Sequence, residues 1–234
     1  EIGRACEELE VSLVGGHTEV TYGLDRPIVV GTMLGEVAKD RLVTTGGARV
    51  GDVILLTKGV PVEGTAIIAK EKAAELRRRG VPTEVIERAK EFLRQPGISV
   101  VPEAMLACEL VPVHAMHDPT EGGVATALWE LATASGVGLR VERERIAILP
   151  EGGRLCREFG LDPLGTIASG ALLLTLAPAD AATVLHACAR EGIACAFIGQ
   201  VVSREEGVML IEGTRARPMP AFPQDEITKL FKAP

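Results

Sequence analysis

Short apolar runs alternate along this chain with stretches whose apolar residues recur at helical spacing, and this alternation limits the folds it can adopt. The predicted strands are residues 11–14, 27–34, 53–56, 111–116, 137–141, 171–176, 193–202 and 208–211. The predicted helices are residues 1–9, 64–80, 83–95, 102–110, 124–135 and 180–191. Hydrophobic residues make up 47% of the 234, which is enough apolar surface to form a core. The pattern predicts an α/β (α+β) fold in which helices cover a mixed sheet.

Turn residues between positions 44 and 52 predict a domain boundary. Two glycines follow Thr44-Thr45, and Gly51-Asp52 then precedes the apolar run 53–56. We expect residues 1–45 to be the remnant of an N-terminal sheet domain and residues 46–234 to be a C-terminal α/β domain. The chain opens on Glu1 in a helix-like stretch without an initiator Met, so an N-terminal truncation is also expected.

Composition excludes several classes of function. The 25 Lys+Arg and 32 Asp+Glu residues give a net charge of −7, so duplex nucleic acid is not an expected partner. No apolar stretch approaches the ~20 residues of a membrane helix, so no membrane association is expected. Five cysteines without a C-x-x-C pair predict reduced thiols and a cytoplasmic protein. They are interpreted as small buried hydrophobes, with a minor redox interpretation for Cys188 and Cys195.

The loop 117–123 is the best candidate for a functional site. It lies between a predicted strand and a predicted helix and ends in Gly122-Gly123. A helix N-terminus attracts anions, and paired glycines let a phosphate approach the backbone closely. Asp118 supplies a hard oxygen ligand of the kind that Mg²⁺ takes, which indicates a magnesium–nucleotide site. The alternative is structural: Asp118 caps the helix, and the glycines only permit close packing.

A second candidate is the loop Gly15-Gly16-His17-Thr18-Glu19, where two glycines break a predicted strand. Glycines inside a strand mark a bulge or the close approach of a ligand. Histidine is a side chain that can act as a general acid or base near neutral pH, so His17 is a candidate for that role. The alternative is a hydrogen-bonded structural histidine.

Two further patterns carry less information. Lys58-Gly59 and Glu63-Gly64-Thr65 have the outline of a phosphate loop, but the G-x-x-x-x-G-K-[ST] spacing is absent, so a P-loop NTPase is excluded. His114 and His117 are three residues apart on a predicted strand, which places them on opposite faces. A metal shared by these two histidines is therefore not expected.

Taken together, the loops 15–19 and 117–123 resemble those of the aminoimidazole ribonucleotide (AIR) synthase superfamily, also called PurM-like. Gly51-Asp52 at the start of a strand, the segment Leu161-Asp162-Pro163-Leu164 and residues 165–176 extend the resemblance over most of the chain. The superfamily includes the hydrogenase maturation factor HypE, selenophosphate synthetase and thiamine monophosphate kinase. The resemblance is strongest to HypE and to other AIR synthase-related proteins.

This resemblance implies an enzyme that binds ATP and Mg²⁺ between its two domains and activates a substrate oxygen by phosphoryl transfer. It also implies a homodimer formed through the N-terminal sheet, and either a small-molecule substrate or a maturation partner protein. By resemblance, Asp118 matches a metal-ligating aspartate, Gly122-Gly123 the phosphate-facing turn, and Gly15 to Thr18 a loop that lines the nucleotide. With the residue patterns added, the candidate catalytic residues are Asp118 and His17, and the candidate nucleotide-binding residues are Gly15, Gly16, Thr18, Glu19, Thr120, Gly122 and Gly123. The alternative function is a nucleotide-binding scaffold or sensor that has lost catalysis.

Three differences from the superfamily pattern bear on the substrate. The acidic, glycine-rich segment that holds most of the magnesium carboxylates in these families is not in this chain. The chain ends Lys232-Ala233-Pro234, whereas HypE carries a C-terminal cysteine, and Glu121 stands where hydrogenase maturation proteins usually carry Arg. We therefore do not expect the nitrile-forming role, and the phosphoryl acceptor stays open.

Overall fold

A computed structural model describes residues 2–231 of the chain. The chain divides into two units, Glu1–Asp40 and Arg41–Pro234, whereas the sequence places the boundary at 45/46. No helix within the described range 2–231 is long and apolar enough to cross a membrane.

The first unit contains one regular element, the helix α1 (Ile2–Glu8), ahead of a short 3-10 turn (Lys39–Arg41). The predicted strands 11–14 and 27–34 are wrong for this structure, because both segments lack regular secondary structure. Their apolar side chains are exposed, with Val14 at 92% and Val30 at 87% of full accessibility. Alternating apolar residues favour a strand, but a strand forms only when a neighbour satisfies its backbone groups, and none pairs with these segments here.

The second unit is built on a seven-stranded mixed sheet with the order β2-β4-β1-β5-β3-β6-β7. Its strands are β1 (Val53–Thr57), β2 (Val113–His117), β3 (Gly138–Glu142), β4 (Leu173–Leu176), β5 (Cys195–Val202), β6 (Val208–Glu212) and β7 (Arg215–Pro218). Only β3 and β6 pair in parallel, and the other neighbours are antiparallel. Strand β1 lies between β4 and β5 and is buried along its whole length, which explains its continuous apolar run. The mixed α/β fold expected from the sequence is confirmed.

Helices cover both faces of this sheet. They are α2 (Val62–Glu71), α3 (Ala73–Arg78), α4 (Thr83–Lys90), α5 (Val101–Leu110), α6 (Gly123–Ser135), α7 (Pro150–Phe159) and α8 (Ala181–Arg190). The predicted helix 64–80 is two helices, because the chain leaves helical geometry at Lys72. Helix α7 has no counterpart in the sequence prediction, since Gly152 and Gly153 lower its helix propensity. A Cβ at Gly152 would lie 2.5 Å from Thr65 Oγ1, so close packing between α7 and α2 requires the glycine.

Two apolar clusters on opposite faces of the sheet position the candidate site. Helix α6 packs one face with Leu128 and Leu131, both fully buried among residues of β1, β3 and β5. Helices α5 and α8 pack the other face against Leu55 and Leu174. The inward face expected for α6 is confirmed, and it fixes the N-terminus of α6 beside the end of β2.

Candidate functional site

Two glycines form the turn that leads from β2 into α6. Gly122 is the N-cap residue with φ 75°, and Gly123 has φ 62°, so both adopt the left-handed conformation that glycine tolerates best. A Cβ on Gly123 would lie 2.5 Å from the carbonyl oxygen of Leu164 and 2.7 Å from that of Thr166. Glycine is therefore needed at Gly123 for close packing as well as for its backbone angle.

Three amide groups at the start of α6 have acceptors within the protein. Gly122 N–H donates to Asp225 Oδ2 at 2.7 Å, and Gly123 N–H donates to the carbonyl oxygen of Thr120 at 3.0 Å. Ala125 N–H donates to the carbonyl oxygen of Leu164, also at 3.0 Å. In this structure, the anion at the helix N-terminus is a carboxylate of the protein itself.

Asp118 is exposed and lies on the loop between β2 and this turn. The structural alternative for it is wrong, because the N-cap of α6 is Gly122 and no side chain caps the helix from within that loop. Within residues 2–231, the Asp118 carboxylate forms no hydrogen bond or ion pair. Its two oxygens are thus open to solvent and to a ligand.

The helix is capped instead by Asp225, which sequence reasoning missed. Its Oδ1 accepts from Ile227 N–H at 2.8 Å, so the two carboxylate oxygens join the C-terminal segment to the Gly122 turn. The neighbouring Glu226 accepts from Asp162 N–H at 2.9 Å, and both acidic residues are buried. An Asp ahead of an apolar residue suggests a local cap, but the sequence does not show that its second oxygen reaches Gly122.

The two histidines of β2 have separate partners. His114 Nδ1 lies 2.9 Å from both carboxylate oxygens of Asp52, and His117 Nε2 lies 2.7 Å from Glu130 Oε2. No group of three or more potential metal ligands is assembled among the described residues. A cation at Asp118 would therefore complete its coordination with water and with oxygens of its anionic partner, as Mg²⁺ commonly does.

The loop 15–19 belongs to the first unit and has no regular secondary structure. His17 Nε2 lies 3.5 Å from Glu19 Oε2, and both side chains are largely exposed. A Cβ at Gly15 or Gly16 would meet no atom within 4 Å, so packing does not require these glycines. The structure brings Asp118, Thr120, Gly122 and Gly123 together on one loop.

Lys58 follows β1 in the left-handed conformation, with φ 57°. Its Nζ lies 2.9 Å from Glu103 Oε1 and donates to the carbonyl oxygen of Ser99 at 2.6 Å. Gly64 N–H donates to the carbonyl oxygen of Ile167. Both the cation and this amide serve internal contacts, which agrees with the exclusion of a P-loop.

Comparison with known proteins supports the family. Residues 49–212 match the family described as AIR synthase related protein, C-terminal domain. Carbamoyl dehydratase HypE of Rhizobium leguminosarum bv. viciae is 30% identical over 206 residues, which is 86% of this chain and 56% of the relative. The chain spans about half the length of the curated relatives that it matches.

Solved structures share the fold. The hydrogenase maturation protein HypE in complex with ATP superposes with a TM-score of 0.59 at 24% identity, over 82% of this chain and 57% of that one. A HypE–HypF complex gives a TM-score of 0.56 at 19% identity, over 77% of this chain and 56% of that one. On the match over residues 49–212, this chain belongs to the AIR synthase-related family.

Proposed function

We propose that this chain is part of an ATP- and Mg²⁺-dependent enzyme that activates a substrate oxygen by phosphoryl transfer. The observation that carries the proposal is the Asp118 carboxylate, exposed and without a protein partner beside the glycine turn of α6. The family match and the ATP complex of a protein with the same fold support it. A site of this kind works mainly by positioning the phosphates and neutralising their charge.

Asp118 is the residue that would hold Mg²⁺, and the bound ion would neutralise phosphate oxygens. Because Asp225 occupies the Gly122 amide, we assign Gly122 and Gly123 to shaping the turn, and phosphate contact to the half-buried Thr120. The loop 15–19 is proposed to line the nucleotide, with His17 as a proton carrier. The assignment of the loop rests on the family resemblance, and that of His17 rests on the acid–base chemistry of its imidazole side chain.

The expected result for Asp118→Ala is at least a tenfold weaker binding of Mg–ATP with an unchanged melting temperature. The carboxylate is exposed and unpartnered, so its removal costs a metal ligand and no internal contact. Isothermal calorimetry with Mg–ATP and thermal unfolding measure the two effects. Glu121→Ala, on the same exposed loop, is the matched control and should keep its affinity. Unchanged affinity in Asp118→Ala would contradict the assignment.

The alternative function is a nucleotide-binding scaffold or sensor without catalysis. Single-turnover incubation with radiolabelled ATP separates the two, because an enzyme releases ADP and a sensor only binds. The acceptor is proposed to be an oxygen of a small molecule or of a group on a maturation partner protein; the HypE relative acts as a carbamoyl dehydratase, and a HypE–HypF complex has the same fold.

We also propose a homodimer formed through residues 11–34. Exposed apolar segments of this kind recruit a partner, and two copies can supply each other with the missing strand neighbours. Light scattering should give about twice the 24.7 kDa chain mass. Val14→Asp with Val30→Asp should give a monomer, whereas Met105→Asp, an exposed apolar residue of the second unit, should not. Light scattering that reports a monomer of the complete protein at micromolar concentration would refute the dimer.

A further inference from the structure

The last residue of β2, His117, stands between a carboxylate of α6 and a threonine hydroxyl. Its Nε2 lies 2.7 Å from Glu130 Oε2, and its Nδ1 lies 3.5 Å from Thr45 Oγ1. The His117 side chain is 20% exposed, so the protein holds the ring and solvent still reaches it. The carboxylate and the hydroxyl are the partners of this ring among residues 2–231.

Thr45 is itself held in place. It begins the 3-10 turn Thr45–Gly47, which approaches the backbone of α6, because a Cβ at Gly46 would lie 2.9 Å from a carbonyl oxygen of that helix. Ser135 Oγ donates to the carbonyl oxygen of Thr45 at 3.0 Å. The Nδ1 side of the His117 ring therefore faces an anchored residue.

These contacts select one tautomer of the neutral His117 ring. A carboxylate only accepts hydrogen bonds, so the contact with Glu130 places a proton on Nε2. The Thr45 hydroxyl has a single proton, and Oγ1 donates it to the carbonyl oxygen of Met116 at 3.2 Å. No other described residue donates to Nδ1, which therefore carries a lone pair. A carboxylate thus orients an imidazole whose second nitrogen can accept a proton.

This base lies directly beside the proposed metal ligand. His117 and Asp118 are consecutive, and neighbouring Cα atoms are about 3.8 Å apart. A phosphoryl group held at Asp118, together with the oxygen that attacks it, is therefore within reach of the His117 ring. The proposed proton carrier His17 belongs to the first unit, and its side chain is 80% exposed.

We propose that His117 is the general base of the phosphoryl transfer and that Glu130 is its positioning residue, an assignment that rests on the proposed ATP-dependent function. The acceptor is a group whose attacking oxygen carries a proton, either water or a hydroxyl. Nδ1 takes that proton as the oxygen forms a bond to the γ-phosphorus. The bond from this phosphorus to the bridging oxygen breaks, and ADP leaves with the electron pair. The proton on Nδ1 then passes to solvent, which restores the neutral ring.

The tautomer can be measured without nucleotide. Long-range proton–nitrogen correlation spectra of ¹⁵N-labelled protein should place the proton of the neutral His117 ring on Nε2, and the His117→Asn spectrum identifies its signal among the four histidines. Glu130→Ala should lose this preference, whereas Glu130→Gln, whose amide oxygen still accepts, should retain it. A proton on Nδ1 of the neutral wild-type ring would overturn the proposal, even where a His117 variant fails to fold.

Single-turnover hydrolysis of Mg–ATP by the complete protein, with water as the acceptor, tests the reaction. His117→Ala should form ADP about a hundredfold more slowly at an unchanged affinity for Mg–ATP. Added imidazole should restore part of this rate, which it cannot do for a merely structural loss. Glu130→Ala should lower the rate in the same way, and Glu130→Gln should recover part of it. His186→Ala, at an exposed histidine of α8, is the control and should keep the wild-type rate.

The outcomes separate the base from the function on which it rests. Wild type that binds Mg–ATP and forms no ADP would refute the proposed enzyme, and the base with it. If wild type forms ADP, three results would overturn the role of His117 alone. These are an unchanged rate in His117→Ala, a loss there that imidazole does not restore, and imidazole rescue confined to His17→Ala.

Discussion

Replacing Glu103 with Leu should lower the free energy of unfolding by about 3–5 kcal/mol, since removing one partner of a buried ion pair leaves the other charge without compensation. The Lys58 and Glu103 side chains are 8% and 0% exposed. Lys58 would keep its carbonyl acceptor at Ser99 but lose its counter-charge. Glu103 Oε2 is buried without a hydrogen-bond partner among the described residues, so the pair is held through one oxygen. Urea unfolding measures the loss.

The double variant Lys58→Met with Glu103→Leu should recover most of that loss, because neither charge is then left alone. The matched control is the exposed pair Arg94 and Glu91, at 3.2 Å, whose removal should change stability by less than about 0.5 kcal/mol. If the double variant is as unstable as the single one, the packing of Glu103, and not its charge, accounts for the effect.

Replacing Asp225 with Ala should lower the free energy of unfolding by about 3 kcal/mol. The substitution leaves the buried N–H groups of Gly122 and Ile227 without acceptors, at a cost of roughly 1–3 kcal/mol each. At about 2–4 °C per kcal/mol for a domain of this size, the melting temperature should fall by roughly 10 °C. Differential scanning calorimetry measures this shift.

Asp225→Asn should lose nearly as much stability, because its amide group presents a donor to one of two N–H groups. The control is Asp118→Ala, which removes a carboxylate that has no protein partner, and it should leave the melting temperature unchanged. A stable Asp225→Ala would show that the C-terminal segment does not hold the glycine turn.

Much of the second unit could be predicted from local patterns. The apolar run 53–56 and the 3.6-residue spacing of apolar residues after Gly123 each indicate a buried strand or helix face from residues within one element. The sequence therefore predicts β1 and α6 to within one or two residues. The sequence does not predict helix α7, because glycine has a low helix propensity and the close contact with α2 that requires Gly152 is not visible in the sequence. Segments 11–14 and 27–34 contain the apolar and β-branched residues typical of strands, but strand formation depends on a neighbour that the pattern does not specify.

The candidate site shows the same limit. The glycine turn was predicted because strand, glycines and helix are contiguous in the chain. The sequence does not predict that the carboxylate of Asp225 binds the turn, because Asp225 is 103 positions from Gly122 and the contact exists only after folding.

The position of β1 at the centre of the sheet has a consequence for synthesis. Val53 pairs with Leu176 on one side and with Gln200 on the other, so both neighbours of this strand are made long after it. On the ribosome, the five buried residues of β1, four of them apolar, lack one of their two strand neighbours until residues up to Val202 have emerged. Completion of the centre of the sheet therefore waits until β5 has been made, and until then β1 is an apolar segment of the nascent chain exposed to aggregation.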